Sequence, residues 1–475
     1  MSIKKNLTEE GGHLNLSTTN EIITIRINDP KDGIIVNVQF IEEITIVEDI
    51  FSLLPSIKLL LHDRGTFFNM YNIKNGDVLY VKITPRPHDT GDVDDNEEPD
   101  PYIDSQFSIQ SVMCYPDYET DSVMYEISGV YNAVSFLNEI NIYPEEEFIE
   151  LNTPNIKTSS EVLKDILEKT SIKYRSEIKT NDNSLWANCN KTRAEFINKV
   201  IEHSWIEEYD SPMFYVNKNG EGVYTSIKYL SKKETSMFFE NAKYYLGKSN
   251  DIKEEKKSML FEDIQYLNAS GPILNKNGYK NKAFYYTPYN NKELQDDKFN
   301  TAELDISNMI KEIIKKDGDI SNLVDSEIAN SKIRDNYRNI SFSNEENYIA
   351  TVNNKKASYI DNLSRNVNIG MYFKEHHDFY DVAPIHNELT RRNFFQNFVN
   401  MLVDVNKLNK IFNRKRMRID IGDKVNIDFS STNNFEKIHS GNYIIAGISH
   451  SYRPNYNYIM KITCVTDGTF SGGIL

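Results

Sequence analysis

The stretch IDIGDKVNI, residues 419–427, places a turn at Gly422 and Asp423 directly before alternating apolar residues. Two further alternating stretches follow it, YIIAGI at 443–448 and MKITCV at 460–465. Short alternating stretches bounded by Gly, Asn, Ser or Pro are typical of β-strands. The end of the chain therefore predicts a three-stranded antiparallel meander.

A second copy of this pattern lies near the start of the chain. It begins with IKNGDVLYV at 73–81, which carries Gly76 and Asp77, and continues with FSIQSV at 107–112 and YEISGV at 125–130. A Gly-Asp turn before a strand is common. Three such stretches in the same order, with similar gaps between the second and third, favour a duplication. We therefore expect one β module that occurs twice.

Composition indicates a globular protein outside the membrane. The 475 residues suffice for about three domains, and no apolar stretch approaches the roughly 18 residues of a membrane span. The first residues lack the apolar segment of a secretory signal. Cys114, Cys189 and Cys464 are far apart and outside any CxxC motif. This pattern favours a reducing compartment and disfavours both a disulfide framework and a zinc site.

The charge balance argues against a general nucleic-acid binder. The chain has 54 basic and 70 acidic residues and a net charge of -16. Binding to phosphates requires a basic face. An acidic surface past which DNA slides without sticking remains compatible with this balance.

The first part of the chain predicts a small β-barrel. Residues 1–17 are polar and are expected to form an N-terminal arm, and residues 18–145 the first barrel. Strand candidates are 22–27, 34–40 and 57–61, with a compact apolar loop at 48–55. Together with the strands of the first module, they suffice to close a barrel.

An acidic, proline-rich loop at 85–104 interrupts this barrel. A solvated loop is the simplest interpretation, and an acidic lip facing a basic partner or a channel is a second one. A calcium site would use Asp92, Asp94, Asp95 and Glu97, but the spacing lacks the Gly and the terminal Glu of a hand-type loop.

Residues 146–235 are expected to form an inserted α/β domain. Two capping boxes, Thr158 with Glu161 and Thr192 with Glu195, precede apolar residues at helical spacing. A β-hairpin with arms at 213–216 and 223–227 follows them.

The remainder predicts a second barrel with its own insertion. Residues 236–300 open it with strand candidates at 261–267 and 283–286. Residues 301–400 form a mainly helical or irregular insertion with helix candidates at 304–314 and 389–402. Residues 401–475 supply the closing strands and a C-terminal tail. The expected fold class is α+β, mainly β, with two antiparallel β-barrels and inserted α/β and helical domains.

These motifs, in this order, resemble the central baseplate hub proteins of T-even-type contractile-tailed phages. EDIF at 48–51, LLLHDRG at 59–65 and IKNGD at 73–77 resemble the opening of the hub. NSLWAN at 183–188, EFIN at 195–198 and FYVNKNG at 214–220 resemble its middle domain. GDKV at 422–425, SGNYII at 440–445 and ISH at 448–450 are similar to its closing strands, which recur in spike-hub proteins of type VI secretion systems.

The resemblance implies a non-enzymatic structural protein of the virion tail baseplate, assembled in the host cytoplasm. Both barrels would be tail-tube-like, and a homotrimer would present six quasi-equivalent units around a channel. Such a ring would adapt a trimeric central spike to a hexameric tail tube or tube initiator. Baseplate wedge proteins and the tape measure protein are further implied partners, and DNA would pass through the lumen without specific binding.

No stretch predicts a catalytic, cofactor or metal site. His376, His377, Asp378 and His386 form a dense group, but no helix or strand period brings them together, so a polar loop is favoured. His450 is interpreted as a hydrogen-bonded turn histidine. Solvated charges are expected at 145–147 and 207–208. The basic stretch 414–418 is interpreted as a solvated hairpin tip, with docking to an acidic neighbour as the alternative.

Two other functions stay open at this stage. A tail-associated peptidoglycan hydrolase would use Glu195 or His376. A host-binding module would stack Tyr285, Tyr286 and Tyr289 on glycans.

Overall fold

The computed structural model describes the two ends of the fold and much of its middle. The described residues are 21–63, 70–85, 101–117, 122–141, 156–186, 188, 191–207, 210–241, 258–261, 263–268, 282–286, 301–305, 380, 383–384, 387, 391, 395, 397–404, 419–428, 441–453 and 458–466. The N-terminal arm 1–17, the centre of the acidic loop at 86–100 and most of 301–400 lie outside them. The domain limits stated above therefore remain predictions.

The first part of the chain folds into seven strands of a large sheet. The strands are β1 (Glu21–Ile27), β2 (Ile34–Ile35), β3 (Ile41–Asp49), β4 (Ser56–Asp63), β5 (Val78–Pro85), β6 (Ile103–Asp117) and β7 (Ser122–Tyr131). Their order in the sheet is β2-β1-β5-β6-β7-β4-β3, and all neighbours are antiparallel.

The middle of the chain combines short strands with helices. Its elements are α1 (Val134–Leu137), β8 (Ile140–Asn141), β9 (Ile156–Lys157), α2 (Ser159–Leu167), β10 (Lys173–Ser176), β11 (Ser184–Leu185), β12 (Lys191–Thr192), α3 (Arg193–His203), β13 (Pro212–Val216), β14 (Glu221–Ser226) and α4 (Ile227–Lys232). The predicted capping boxes are present, since Thr158 and Thr192 cap α2 and α3. The predicted hairpin is β13–β14.

The last part returns to the large sheet. Its strands are β15 (Met237–Asn241), β16 (Ser258–Phe261), β17 (Asp263–Asn268), β18 (Lys282–Tyr286), β19 (Thr301–Asp305), β20 (Asn397–Asp404), β21 (Lys424–Asp428), β22 (Gly441–Tyr452) and β23 (Ile459–Thr466). β18 and β19 pair only with each other among the described strands. The other seven join the first seven in one 14-stranded sheet. The fold is thus mainly antiparallel β with few helices, as the sequence predicts.

Alternation of apolar residues builds one core across both ends of the chain. Ile44 and Ile46 of β3 and Leu59 and Leu61 of β4 are buried, while their neighbours along each strand are more exposed. The same apolar cluster extends to the last strand, β23. Successive strand residues point to opposite faces, so period-two patterns of this kind bury one face. The two ends therefore stabilise each other through a shared core. A separate cluster fills the α2–α3 region.

The first copy of the repeated module is a Gly-Asp turn bonded to β6. The backbone N–H of Gly76 donates to the carbonyl of Ile109 at 2.8 Å, and the N–H of Ile109 donates to the carbonyl of Asp77 at 2.8 Å. The carboxylate of Asp77 accepts from the N–H of Lys74 at 3.0 Å. Gly76 has a φ of 91°, which only glycine adopts readily.

The second copy repeats each of these contacts. The N–H of Gly422 donates to the carbonyl of Ile445 at 2.8 Å, and the N–H of Ile445 donates to Asp423 at 2.9 Å. The carboxylate of Asp423 accepts from the N–H of Asp420 at 3.1 Å. Gly422 has a φ of 81°. The predicted duplication is therefore confirmed for β5-β6-β7 and β21-β22-β23.

The same irregularity marks both copies. The β6–β7 register shifts between Ile109 and Ser111, and the β22–β23 register shifts between Ile445 and Gly447. A bulge inserts one unpaired residue and increases the local bend. The two copies differ in the strand that lies next to them in the sheet. β1 runs antiparallel to β5, whereas β15 runs parallel to β21.

Several local predictions are wrong. The predicted strand 34–40 is only two residues long and is followed by a 3-10 turn at Val38–Phe40. β3 is a strand that none of the sequence predictions includes. The helix predicted at 304–314 begins inside β19, and the helix predicted at 389–402 ends inside β20. Pairing with β18, and with β17 and β23, overrides the helical pattern there.

The two repeated glycines provide a matched test of packing. A Cβ at Gly422 would overlap the hydroxyl of Tyr215, whereas a Cβ at Gly76 meets nothing within 4 Å. Gly76→Ala should cost about 1–2 kcal/mol from the left-handed backbone alone. Gly422→Ala should cost about 1–3 kcal/mol more because of overpacking. Urea unfolding of both variants measures the difference, and equal losses would show that Tyr215 does not pack against this turn.

Candidate functional site

The two ends of the chain meet where β3 pairs with β22. The antiparallel ladder runs from Gly447 opposite Asp49 to Tyr452 opposite Ile44. The N–H of Ile50 extends it by donating to the carbonyl of Ala446 at 2.8 Å. A Cβ at Gly447 would lie 3.1 Å from the Cβ of Asp49, so the close approach favours glycine. This ladder makes one continuous sheet of the two repeated modules.

The tip of the β13–β14 hairpin lies against this ladder. The side-chain oxygen of Asn217 accepts from the N–H groups of Asn219 and Glu221, both at 3.0 Å. Gly220 has a φ of 74°, and a Cβ there would overlap the hydroxyl of Tyr131. These contacts fix the turn, and the turn presents Lys218 to both modules.

Lys218 contacts both ends of the chain. Its N–H donates to Oε2 of Glu48 at 2.6 Å, and its Nζ lies 3.4 Å from Oε1 of the same carboxylate. The Nζ also donates to the carbonyl of Ile419 at 3.1 Å and to the carboxylate of Asp420. The carbonyl of Lys218 accepts from the hydroxyl of Ser105.

Glu48 is the anion at the centre of this group. It lies on β3 two residues beyond Ile46, so the strand period turns its side chain to the buried face. Its side chain is 0% exposed. Nε2 of His450 lies 3.0 Å from Oε1 of Glu48. A carboxylate buried this deeply requires a counter-charge and hydrogen-bond donors, and Lys218 and His450 supply both.

His450 completes the group with one tautomer. An ionised Glu48 can only accept, so Nε2 of His450 carries the proton and donates. Nδ1 then accepts from the hydroxyl of Tyr458 at 2.6 Å. A neutral imidazole therefore satisfies both contacts. We name Glu48, Lys218, Asp420, His450 and Tyr458 the junction cluster.

Electrostatics keep Glu48 and Lys218 charged. Burial alone would raise the pKa of Glu48, but the charge of Lys218 and the hydrogen bond from His450 outweigh it and lower that pKa to about 2. Burial lowers the pKa of Lys218, but the carboxylates of Glu48 and Asp420 reverse this and raise it. Burial lowers the pKa of His450 below its usual 6.5 despite the adjacent carboxylate, which keeps the ring neutral.

The junction cluster is suited to fixing geometry rather than to chemistry. Both oxygens of Glu48 are occupied by Lys218 and His450, and both ring nitrogens of His450 are engaged. Lys218 and His450 are only 6% and 3% exposed. Each charge is therefore neutralised by a neighbour within the fold. The cluster holds the two modules and the hairpin in one arrangement.

Neither Glu48 nor Lys218 is among the functional residues predicted from the sequence. The signal for Glu48 was available, because Ile44, Ile46 and Glu48 share one strand face and a charge at an inward position calls for a partner. Nothing in the sequence identifies Lys218, which is 170 residues away. His450 is hydrogen-bonded as expected, but it lies within β22 and not in a turn.

The other candidate residues are dispersed. Glu195 caps its own helix, since its carboxylate accepts from the N–H of Thr192 at 2.8 Å. Glu207 forms an ion pair with Lys228. The described residues contain no group of three His, Cys, Asp or Glu side chains that could hold a metal ion. Several candidates lie outside the described residues, namely Asp92, Asp94, Asp95, Glu97, 145–147, Glu208, Tyr289, His376, His377, Asp378, His386 and 414–418. Tyr285 and Tyr286 lie in β18.

Within the described part of the chain, no helix has the length and apolar character that a membrane span requires.

The fold is similar to solved structures of two tail proteins and of a type VI secretion component. The 43 kDa tail protein of prophage MuSo2 from Shewanella oneidensis superposes with a TM-score of 0.51 at 11% sequence identity, over 94% of this chain and 99% of that one. A tail protein from Neisseria meningitidis MC58 gives 0.48 at 8% identity, over 94% and 98%. A component of the Escherichia coli type VI secretion system gives 0.40 at 6% identity, over 93% and 76%.

The first of these matches shows that the chain has the fold of a phage tail protein along nearly its whole length. No protein-family model matches the sequence, and no curated protein matches it either. The MuSo2 tail protein is thus a neighbour of the kind that the sequence resemblance implies.

Removing the charge of Glu48 should destabilise the fold strongly. Glu48→Gln removes the fully buried counter-charge of Lys218 and leaves it only the partly exposed carboxylate of Asp420, which should cost about 3–5 kcal/mol. Glu43→Gln is the matched control, because Glu43 lies on the same strand but pairs with exposed Arg453, and it should cost less than about 1 kcal/mol. Chemical unfolding measures both. Similar losses in the two variants would contradict a special role for the buried pair.

The neutral His450 should make stability depend on pH. The pKa of His450 in the folded protein lies below 6.5. As the pH falls through 6.5, His450 therefore binds a proton in the unfolded chain but not in the folded one. Wild-type stability should therefore decrease by up to about 1.4 kcal/mol per pH unit below 6.5 from this residue. His450→Gln keeps a donor to Glu48 but cannot titrate. Relative to wild type, it should gain stability as the pH falls from 7.5 to 5.5.

The comparison between variant and wild type is needed because another buried group acts in the opposite sense. Burial raises the pKa of Asp210 to about 6 from 3.8. That carboxyl favours the folded state as the pH falls through 6, and its effect cancels between the two proteins. A pH-independent difference between wild type and His450→Gln would show that His450 titrates alike in both states.

Proposed function

We propose that this protein is the structural hub of a phage contractile-tail baseplate. Three chains would form a ring of six quasi-equivalent modules that adapts a trimeric spike to a hexameric tail tube. The observation that carries the proposal is the pairing of two copies of one β module edge to edge through β3 and β22. Two units per chain convert threefold symmetry into pseudo-sixfold symmetry.

The fold supports the proposal independently of the repeat. The similarity to a prophage tail protein extends over 94% of this chain. Each module would close as a tail-tube-like barrel in the ring. The middle domain, which carries the hairpin, would lie outside the sheet edge that pairs with the next chain. The junction cluster supports this arrangement because it fixes the angle between the two modules within a chain.

A structural role also fits the chemistry of the described residues. The buried charges of the junction cluster neutralise one another, and Glu195, the candidate acid of a hydrolase, is engaged in capping a helix. The hydrolase hypothesis thereby loses one of its two candidate catalytic residues. We propose a non-enzymatic protein of the virion tail, assembled in the host cytoplasm.

The proposed partners follow from the ring. One face would bind the trimeric spike, and the other the tail tube or a tube-initiator hexamer. Wedge proteins and the tape measure protein would contact its periphery and lumen. A net charge of -16 suits a channel through which DNA passes without adhering.

Mass in solution tests the proposal. Light scattering coupled to gel filtration should give three times the 55.2 kDa chain mass, either for the protein alone or after mixing with its spike. Large interfaces in such a ring should keep the trimer intact at micromolar concentration. A chain that stays monomeric under both conditions would contradict the hub function.

A further inference from the structure

β22 uses one of its edges for two different partners. β23 pairs with it from Ile444 to Ser451 along one edge. β21 pairs with the residues up to Ile444, and β3 pairs with Gly447 to Tyr452. Both must lie on the opposite edge, since β23 occupies the first. The second half of β22 is therefore the segment that joins one module to the next.

The equivalent half of β6 has no such partner among the described strands. β7 pairs with β6 from Phe107 to Asp117 along one edge, and β5 pairs with the other edge only as far as Ser108. Beyond the bulge, the edge from Ser111 to Asp117 pairs with no described strand. An open strand edge of this length invites pairing with another chain.

The equivalent of β3 in the second module is β17. β3 pairs with β4, which pairs with β7, and β17 pairs with β20, which pairs with β23. Among the described strands, β17 pairs with β20 alone. Each chain thus has both halves of a second junction, one on β6 and one on β17. They belong to different modules and cannot be the same contact as β3–β22.

The repeat fixes the register of this second junction. The matching turn contacts make Ile109 equivalent to Ile445, and counting past the bulge makes Met113 equivalent to Ser449. The matching ladders make Leu267 equivalent to Val47. Ser449 lies opposite Val47 in the chain's own junction. Met113 should therefore lie opposite Leu267, and Tyr115 opposite Gln265.

We propose that the edge of β6 from Ser111 to Asp117 pairs antiparallel with β17 of a second copy of this chain, with Met113 opposite Leu267. The inference rests on the proposed hub function. The contact is head to tail, so repeating it closes a ring when the rotation permits. In a trimer, three junctions within chains alternate with three between chains.

Exposed apolar side chains mark both edges. Met113 and Tyr115 of β6 are 43% and 48% exposed, and Leu267 of β17 is 57% exposed. Met113 and Tyr115 point to the same sheet face, because they are two residues apart. Leu267 would join that face across the junction. Large apolar groups beside an open edge are expected where a second chain covers them.

The residues at the second junction differ from those at the first in one informative respect. The position of His450 is taken by Cys114, and that of Glu48 by Asn268. A buried carboxylate at a contact between chains would lack its hydrogen-bond donors before assembly, which is costly. Neutral residues avoid this cost. Among the described residues, the buried carboxylate stands at the junction where the same chain supplies its donors, His450 and Lys218.

Disulfide cross-linking tests the register of β6 against β17 of the second chain directly. Met113→Cys with Leu267→Cys, in a background with Cys114→Ser and Cys189→Ser, should form a covalent trimer on mild oxidation, under conditions in which wild type is trimeric. Directly opposite strand residues bring Cβ atoms within about 4.5–5.5 Å, close to disulfide range. Val47→Cys with Ser449→Cys is the reference, since the same position within one chain should oxidise without linking chains.

The control shifts the register. Met113→Cys with Gln265→Cys places the thiols two residues apart along the ladder and should give at least tenfold less covalent trimer. A protein that is trimeric by light scattering but links equally through the shifted pair, or not at all, would overturn this junction and leave the hub function standing. A protein that is monomeric with and without its spike would overturn both.

Discussion

The structure depends on the β3–β22 ladder. The buried pair of Glu48 and Lys218 fixes this ladder in place. Backbone hydrogen bonds alone would join the two ends of the chain, but they would tolerate a slip in register. The carboxylate of Glu48 removes that freedom, since its donors come from a hairpin tip and from β22. A register shift would leave an anion buried without partners. Specificity, rather than added stability, is the physical contribution that we assign to this pair.

Duplication has given the two modules the same turn and different surroundings. Gly76 and Gly422 make the same backbone bonds, yet only Gly422 is covered by an aromatic side chain from the middle of the chain. The inserted hairpin thus packs on one copy of the turn and leaves the other open. Equivalent positions on the two copies are free to acquire separate roles because the backbone contacts, not the side chains, maintain the module.

Strands with strict alternation and helices with capping boxes could be predicted from the sequence, because both signals are local. β3 was missed, although Ile44 and Ile46 alternate, because three Glu residues mask the pattern. The last six residues of the predicted helix 389–402 belong to β20, whose buried Val399, Met401 and Val403 follow period two. The junction cluster was beyond reach, since Glu48 and Lys218 are brought together only by the tertiary fold.

The fused pair of modules has a consequence for how a six-unit ring would form. Six separate units would have to make all six contacts of the ring between molecules, through association steps that depend on protein concentration. Joining the units in pairs makes half of these contacts intramolecular, with an effective concentration set by the chain and not by the cell. The β3–β22 ladder would then form during folding, and only three contacts would remain for assembly. A ring built this way would nucleate on its spike even from scarce subunits.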